Sequence, residues 1–210
     1  MRHLNHRGYL YIWANLLWAL LSLPIITAPA AWAALVYMSR CAYLNSTVSL
    51  DDFWQGFRAN LKRGAVMALL NVLVLGINIW NLLAYQNQAS ALALGLRAVW
   101  LLALAAWILL QFYMWPLLYE LKQPSLLGAF RNAAVMILRN PLYSFTLFII
   151  ILLLGIISTV LVGAWVLVTA SALAALSSGA VLERLAVAGL RPPLRQPEIA
   201  ATDFHVSDAE

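Results

Sequence analysis

An all-α bundle of transmembrane helices is the fold this sequence predicts, and three observations predict it. No Asp, Glu, Lys, Arg or His occurs from Gly64 to Leu96, from Ala98 to Tyr119 or from Asn140 to Leu182. A hydrocarbon core about 30 Å thick needs roughly 20 apolar residues per helix, so each run is long enough to cross it. Of the 210 residues, 64% are hydrophobic and 10% charged, where a soluble domain carries about 25% charged residues. The mean hydropathy of +0.84 agrees. No polar linker divides the apolar stretches, so one polytopic domain over residues 1–195 is expected, with a polar, disordered cytoplasmic tail over 196–210.

The first apolar segment, near residues 10–38, exceeds what one crossing needs, and Pro24 and Pro29 interrupt it. It reads as one proline-kinked crossing or as a re-entrant pair of half-segments. The kinked crossing is the expected form, because re-entrant backbone is costly in lipid unless neighbouring helices cover it. The small-x-small spacing of Ala28-Pro29-Ala30 is not read as a signal-cleavage site, since the apolar run continues past it. Further spans are expected near 64–84, 92–118, 142–161 and 165–185, about five in all. Arg40, Arg58, Lys62 and Arg63 follow the first span, Lys122, Arg131 and Arg139 the third, and Arg184, Arg191 and Arg195 the last. Lys and Arg are retained in cytoplasmic loops, so these regions and the C-terminus are expected inside.

Two segments read as amphipathic helices on the cytoplasmic membrane surface. In the first, Leu50, Phe53, Trp54, Phe57 and Leu61 recur at helical spacing, with Ser49 and Asp52 placed to cap it. Phe53, Trp54, Phe57 and Arg58 are its expected contacts to a partner or to lipid. The second starts at Ser125, carries Leu126, Leu127, Phe130, Ala134, Ile137 and Leu138, and should end before Pro141.

Candidate chemistry is sparse. His3, His6 and His205 sit in the terminal tails and Cys41 is the sole cysteine, so no metal cluster, disulfide or Ser-His pair is expected within the spans. No phosphate-cradling loop is present, and neither an enzymatic activity nor a cofactor nor nucleic-acid binding is expected. Glu120 is expected to pair with Lys122 or to sit solvated at headgroup level. The polar groups inside the spans are neutral. Asn71, Asn78 and Asn81 fall roughly along one face of the second span, and Gln111 lies on the third. Interhelical hydrogen bonding is their first reading and a solute path the alternative. Ser22, Pro24, Thr27 and Pro29 form a kink motif. Thr27 can satisfy a carbonyl that the prolines free, making a bend or, alternatively, a broken-helix binding site. The small residues Ser171, Ala175 and Gly179 suit internal packing, and tyrosines and tryptophans, Trp115 and Tyr119 among them, read as headgroup-level anchors.

Asn15-Leu16-Leu17-Trp18, Ser22 to Thr27, Pro29-Ala30 and Ala33-Ala34-Leu35 resemble the opening of the YesL-like bacterial membrane proteins, the family called domain of unknown function 624. Asp52 to Asn60, reading DFWQGFRAN, is similar to that family's first cytoplasmic segment. Family members often carry Gly-Pro after the threonine, where this chain has Ala28-Pro29. The resemblance implies a polytopic plasma-membrane protein without assigned activity, of a kind often encoded beside carbohydrate ABC importers and glycan-degrading enzymes. It further implies a non-enzymatic accessory component whose partners are the lipid bilayer and ABC importer permease subunits. The alternative is a small solute (sugar) transporter or channel in its own right.

Overall fold

A computed structural model describes residues 2–45 and 47–192, so the expected tail at 196–210 lies outside the described residues. All regular structure in the described part is helical. The helices are α1 (Arg2–Ser22), α2 (Ala28–Leu44), α3 (Leu50–Ala84), α4 (Ala91–Leu118), α5 (Leu126–Arg139) and α6 (Pro141–Val160). The last, α7, runs from Val162–Ala164 through a π-helical stretch, Trp165–Thr169, into Ala170–Val187. Four helices are long and apolar enough to cross a membrane: α3, α4, α6 and the Trp165–Val187 part of α7. Their outward faces carry Leu69, Val72, Trp80, Leu102, Phe145 and Ile156, all exposed, which water would penalise and hydrocarbon accepts. The chain is thus a multi-pass membrane protein built from helices alone among the described residues.

The first apolar segment departs from the continuous kinked helix expected of it. It is two helices separated by a non-helical turn, and Gly8–Ser22 is too short to count as a span. Pro24 sits in the turn, whereas Pro29 falls in the first turn of α2, where a missing N–H costs nothing. Thr27 closes the break. Its hydroxyl donates to the Leu21 carbonyl and, at 2.9 Å, to that of Pro24. The backbone N–H groups of Leu23 and Thr27 bond Leu20 and Pro24. Neighbouring helices cover the apolar backbone beyond the turn, for Ala30, Ala31, Ala33, Ala34, Leu35 and Val36 are all buried. The turn itself is exposed at Leu23, Pro24, Ile25 and Ile26, so its broken backbone is satisfied by the local hydrogen bonds of Thr27, Leu23 and Ala28 rather than by covering helices.

The segment from Ser49 to Arg63 is likewise not a separate surface helix. It is the first part of a single 35-residue helix, α3, that continues without interruption into the apolar run. The expected cap is present: the Ser49 N–H donates to Asp52 Oδ2 at 2.8 Å. Two glycines let α2 lie against this helix. A Cβ on Gly56 would stand 2.8 Å from Tyr37 Cβ, and one on Gly64 only 2.7 Å from the backbone nitrogen of Ala30. Small residues permit such close approach, and dispersion contacts along the seam replace the hydrophobic drive that lipid cannot supply.

Proline also shapes α4. Pro116 cannot donate to the carbonyl four residues earlier, and the hydroxyl of Ser177 on α7 donates to that carbonyl, Phe112 O. Serine at 177 therefore fills a vacancy that proline at 116 opens. Ser177→Ala should lower the thermal midpoint of the detergent-purified protein, because an unpaired buried carbonyl costs about 1–3 kcal/mol. Exposed Thr159→Ala, whose hydroxyl bonds only its own helix at Gly155, is the comparison that should change little.

Between α4 and α6, helix α5 is capped by Ser125, whose oxygen accepts the Gly128 N–H at 3.2 Å. It packs Ala129, Ala133 and Phe130 inward, the Phe130 ring stacking on Trp107 at 5.6 Å, and leaves Leu127 and Leu138 exposed.

Candidate functional site

The turn after α1 draws together residues that are far apart in sequence. Trp18 and Ser22 of α1, Ala28, Pro29 and Trp32 of α2, Asn71 of α3, and Gln111 and Trp115 of α4 line one cavity of about 260 Å³. No ionisable side chain is among them. Asn71 is fixed from two sides: its amide nitrogen donates to Gln111 Oε1 at 3.2 Å, and its oxygen accepts the Trp107 indole N–H at 3.0 Å. Two further lining residues carry buried polar atoms with no partner among the described residues, Ser22 Oγ and Trp115 Nε1. Buried donors without partners are uncommon, since each forfeits a hydrogen bond that water would have made. Here two of them border one cavity.

The kink motif and the polar path thus meet in part. Ser22 and Pro29 line the cavity with Asn71 and Gln111, while Pro24 is exposed in the turn and Thr27 holds it closed. Asn78 and Asn81 stay apart. Each donates to its own helix four residues back, to Val74 at 3.0 Å and Ile77 at 2.8 Å, so the four amides form no continuous line.

The expected partner surface is corrected more strongly. Phe53 is fully buried and Phe57 nearly so, in the core shared with α2, whereas Trp54 is half-buried and Arg58 exposed. Phe53 and Phe57 project to the side of α3 that Gly56 and Asn60 bring against α2 and α4, which leaves them no access to a partner. Trp115, read from sequence as an interfacial anchor, is fully buried. An aromatic near a span end looks the same in sequence whether it faces headgroups or a neighbouring helix, so no local signal distinguishes the two.

A second polar cluster closes the ends of α2, α4 and α7. Glu120 Oε1 accepts from Arg40 Nε at 2.6 Å and from Arg191 at 3.4 Å, not from Lys122 as expected. Beside it the Tyr119 hydroxyl donates to the Ala33 carbonyl at 2.8 Å and accepts from the Asn60 amide at 2.9 Å. Burial pushes the Tyr119 phenol far above its ordinary pKa, so it remains a donor at any physiological pH. Arg63 extends the cluster, donating to Asn60 Oδ1 and to the Pro124 carbonyl at 3.1 Å. These contacts join chain segments from Ala33 to Arg191.

On α7 the small-residue face packs internally. Ser171 meets Asn15, Ser178 donates to the Val36 carbonyl at 3.1 Å, and Gly179 lies against the Tyr43 hydroxyl. No group of three or more His, Cys, Asp or Glu that could hold a metal ion occurs among the described residues.

No curated protein and no solved structure matches the chain. Residues 11–82, which contain the broken segment, its α3 seam and Asn71, match the family model described as "Protein of unknown function, DUF624", the family that the N-terminal motifs resemble.

Proposed function

We propose that this chain is a non-enzymatic accessory protein of a carbohydrate uptake system, and that its broken first segment holds a small, neutral, hydroxyl-rich solute. The observation that carries the second half of this reading is the cavity between α1, α2, α3 and α4. Trp18 and Trp32, both half-buried, offer apolar surface to a pyranose ring, with fully buried Trp115 completing the lining, while Ser22, Asn71 and Gln111 bring neutral hydrogen-bonding groups. The absence of charge from its lining favours a neutral ligand over an ion or an acid. Its volume lies just under the roughly 300–1,000 Å³ of drug-sized sites, which suits a monosaccharide-scale molecule. The uptake association rests on the family resemblance, and with it come ABC importer permease subunits as partners. Placement in the plasma membrane with the basic connections and the C-terminus in the cytoplasm is the orientation that the Lys and Arg distribution favours.

The test is direct binding of monosaccharides and polyols to the purified protein in detergent, read by tryptophan fluorescence and by calorimetry. Trp115→Phe keeps an aromatic ring and removes the N–H; with Asn71→Leu it is expected to weaken binding about tenfold or more, since a buried polar group left unpaired costs about 1–3 kcal/mol. A panel in which no neutral solute binds the wild type would overturn the cavity reading. Failure to recover importer permease subunits on mild-detergent purification from the native membrane would overturn the accessory one.

A further inference from the structure

Where α4, α5 and α7 finish, they enclose a cleft of about 290 Å³ that shares no lining residue with the cavity beside the broken segment. Its polar lining includes Arg139, Arg184, Asn132 and Asn140, and its apolar wall includes Met136 and Leu185. Glu120 also borders it, but that carboxylate already carries two guanidinium groups, Arg40 and Arg191, so it does not neutralise the cleft. The Arg139 side chain is exposed and makes no ion pair or hydrogen bond among the described residues. Arg184 is held from one side only. Its guanidinium lies 4.0 Å over the Tyr143 ring, its nearest carboxylate is the adjoining and largely exposed Glu183 at 3.7 Å, and its Nε is buried with no partner among the described residues.

Two arginines in the last turns of helices have an ordinary role, which is to hydrogen-bond the terminal carbonyls and offset the helix dipole. Neither arginine does the first of these. Among the described residues no backbone carbonyl accepts from Arg139 or Arg184, whereas Arg63 and Arg97 both donate to carbonyls elsewhere in the chain. The two guanidinium groups of this cleft are therefore not spent on the helix ends. The Tyr143 ring holds the Arg184 guanidinium from one face, and a guanidinium fork matches a tetrahedral oxyanion. Asn132 adds a neutral donor, the Asn140 amide being engaged by the Met136 carbonyl at 3.2 Å, and the apolar wall suits a ligand with a greasy portion. Phosphate is the chemistry that satisfies this set.

We propose that the cleft between the ends of α4, α5 and α7 is a phosphate-binding site, with Arg139 and Arg184 as its principal donors. Two sources offer that group at a basic membrane interface: the headgroup of an anionic phospholipid and free inorganic phosphate. The Met136–Leu185 wall accommodates the glycerol and upper acyl carbons of the first.

The experiment is native mass spectrometry of the full-length protein in neutral detergent, titrated separately with phosphatidylglycerol, phosphatidylcholine and inorganic phosphate. Retention of phosphatidylglycerol about tenfold above phosphatidylcholine is expected. Arg139→Gln and Arg184→Gln should each reduce it about tenfold, the loss of one charge-assisted contact. Arg139→Lys should restore part of it. Arg131→Gln removes a charge from the same helix outside the cleft and should leave retention as in the wild type. If inorganic phosphate displaces the lipid and binds with the same dependence on Arg139 and Arg184, the site stands and free phosphate is its ligand. Equal retention of the two lipids with no phosphate binding overturns the proposal. So does retention that falls as much in Arg131→Gln as in Arg139→Gln, which would mark general surface charge. Arg139 lies on the surface, so its substitution reports on the site even if Arg184→Gln folds poorly.

Discussion

Gly64→Val is expected to part α2 from α3 and to lower the thermal midpoint of the detergent-purified protein by about 3–10 °C, the shift that about 1–3 kcal/mol of overpacking gives at this chain length. The cause is backbone, which cannot step aside. A Cβ at residue 64 would lie 2.6 Å from the Ala30 Cβ, 2.7 Å from its nitrogen and 2.9 Å from its Cα. Gly56→Val should behave similarly, since its Cβ would meet Tyr37 Cβ at 2.8 Å and the Ala34 Cα at 3.1 Å. Gly76→Val is the comparison within the same helix, for nothing stands within 4 Å of a Cβ there. If Gly64→Val and Gly76→Val melt together, the α2–α3 seam is not what holds the broken segment in place. The prediction also bears on function. The seam seats α2, and α2 carries Ala28, Pro29 and Trp32 to the cavity, so solute binding should weaken with stability in Gly64→Val but not in Gly76→Val.

The helical, membrane-embedded character of this chain was legible because hydropathy needs no knowledge of neighbours. A run such as Ala98–Tyr119 without a charge has few fates other than lipid, whatever packs beside it. Local backbone chemistry was legible for the same reason. Ser49 and Asp52 read as a cap and are one, whereas Thr27, expected to satisfy a carbonyl that the prolines free, bonds those of Leu21 and Pro24 while backbone N–H groups take Leu20 and Ile25. What failed were inferences that needed a partner surface. The change from charged to apolar composition at Gly64 looked like the boundary between a surface helix and a span, but intrahelical hydrogen bonds are indifferent to side-chain polarity and nothing there breaks them. Phe53 and Phe57 looked like an exposed docking face because the alanine-rich flank of α2 that buries them is some 20 residues away in sequence.

The cavity was half legible. Ser22, Pro29, Asn71 and Gln111 were each picked out, but in two unrelated groups, since no spacing rule relates position 22 to position 111. Asn78 and Asn81 shared a helical face with Asn71 yet turn back on their own helix, a choice that periodicity cannot foresee. Trp18, Trp32 and Trp115 were missed as a set. Tryptophan is abundant in this chain, nine in all, and abundance hides convergence.

The second large effect is expected at Asn15. Its side chain is fully buried and works in both directions: Nδ2 donates to the Trp165 carbonyl at 2.7 Å, and Oδ1 accepts the Ser171 N–H at 2.6 Å. Those two backbone groups flank the π-helical stretch Trp165–Thr169, where the wider turn disturbs the ordinary four-residue ladder. One amide of α1 therefore completes the hydrogen bonding of α7 across its irregular turn. Inside this turn the Thr169 hydroxyl donates to the Ala164 carbonyl at 3.0 Å and shares a hydrogen bond with Ser158 of α6 at 2.7 Å, so the irregularity is tied to both neighbouring helices. Asn15→Leu keeps the side-chain volume and removes both partners at once. With about 1–3 kcal/mol for each buried group left unpaired, it should cost more than any single-contact change in the molecule. Hydrogen exchange at the Ser171 amide should rise together with the fall in thermal midpoint. Asn15→Asp keeps an acceptor for Ser171 but cannot donate to Trp165 when ionised, and it buries a charge, so it should be no milder. Asn81→Leu is the measure of amide loss without a second helix, because that side chain bonds only Ile77 of its own helix. Equal melting of Asn15→Leu and Asn81→Leu, with Ser171 still protected, would mean that the wide turn of α7 is held by its own hydroxyls and that α1 merely rests against it.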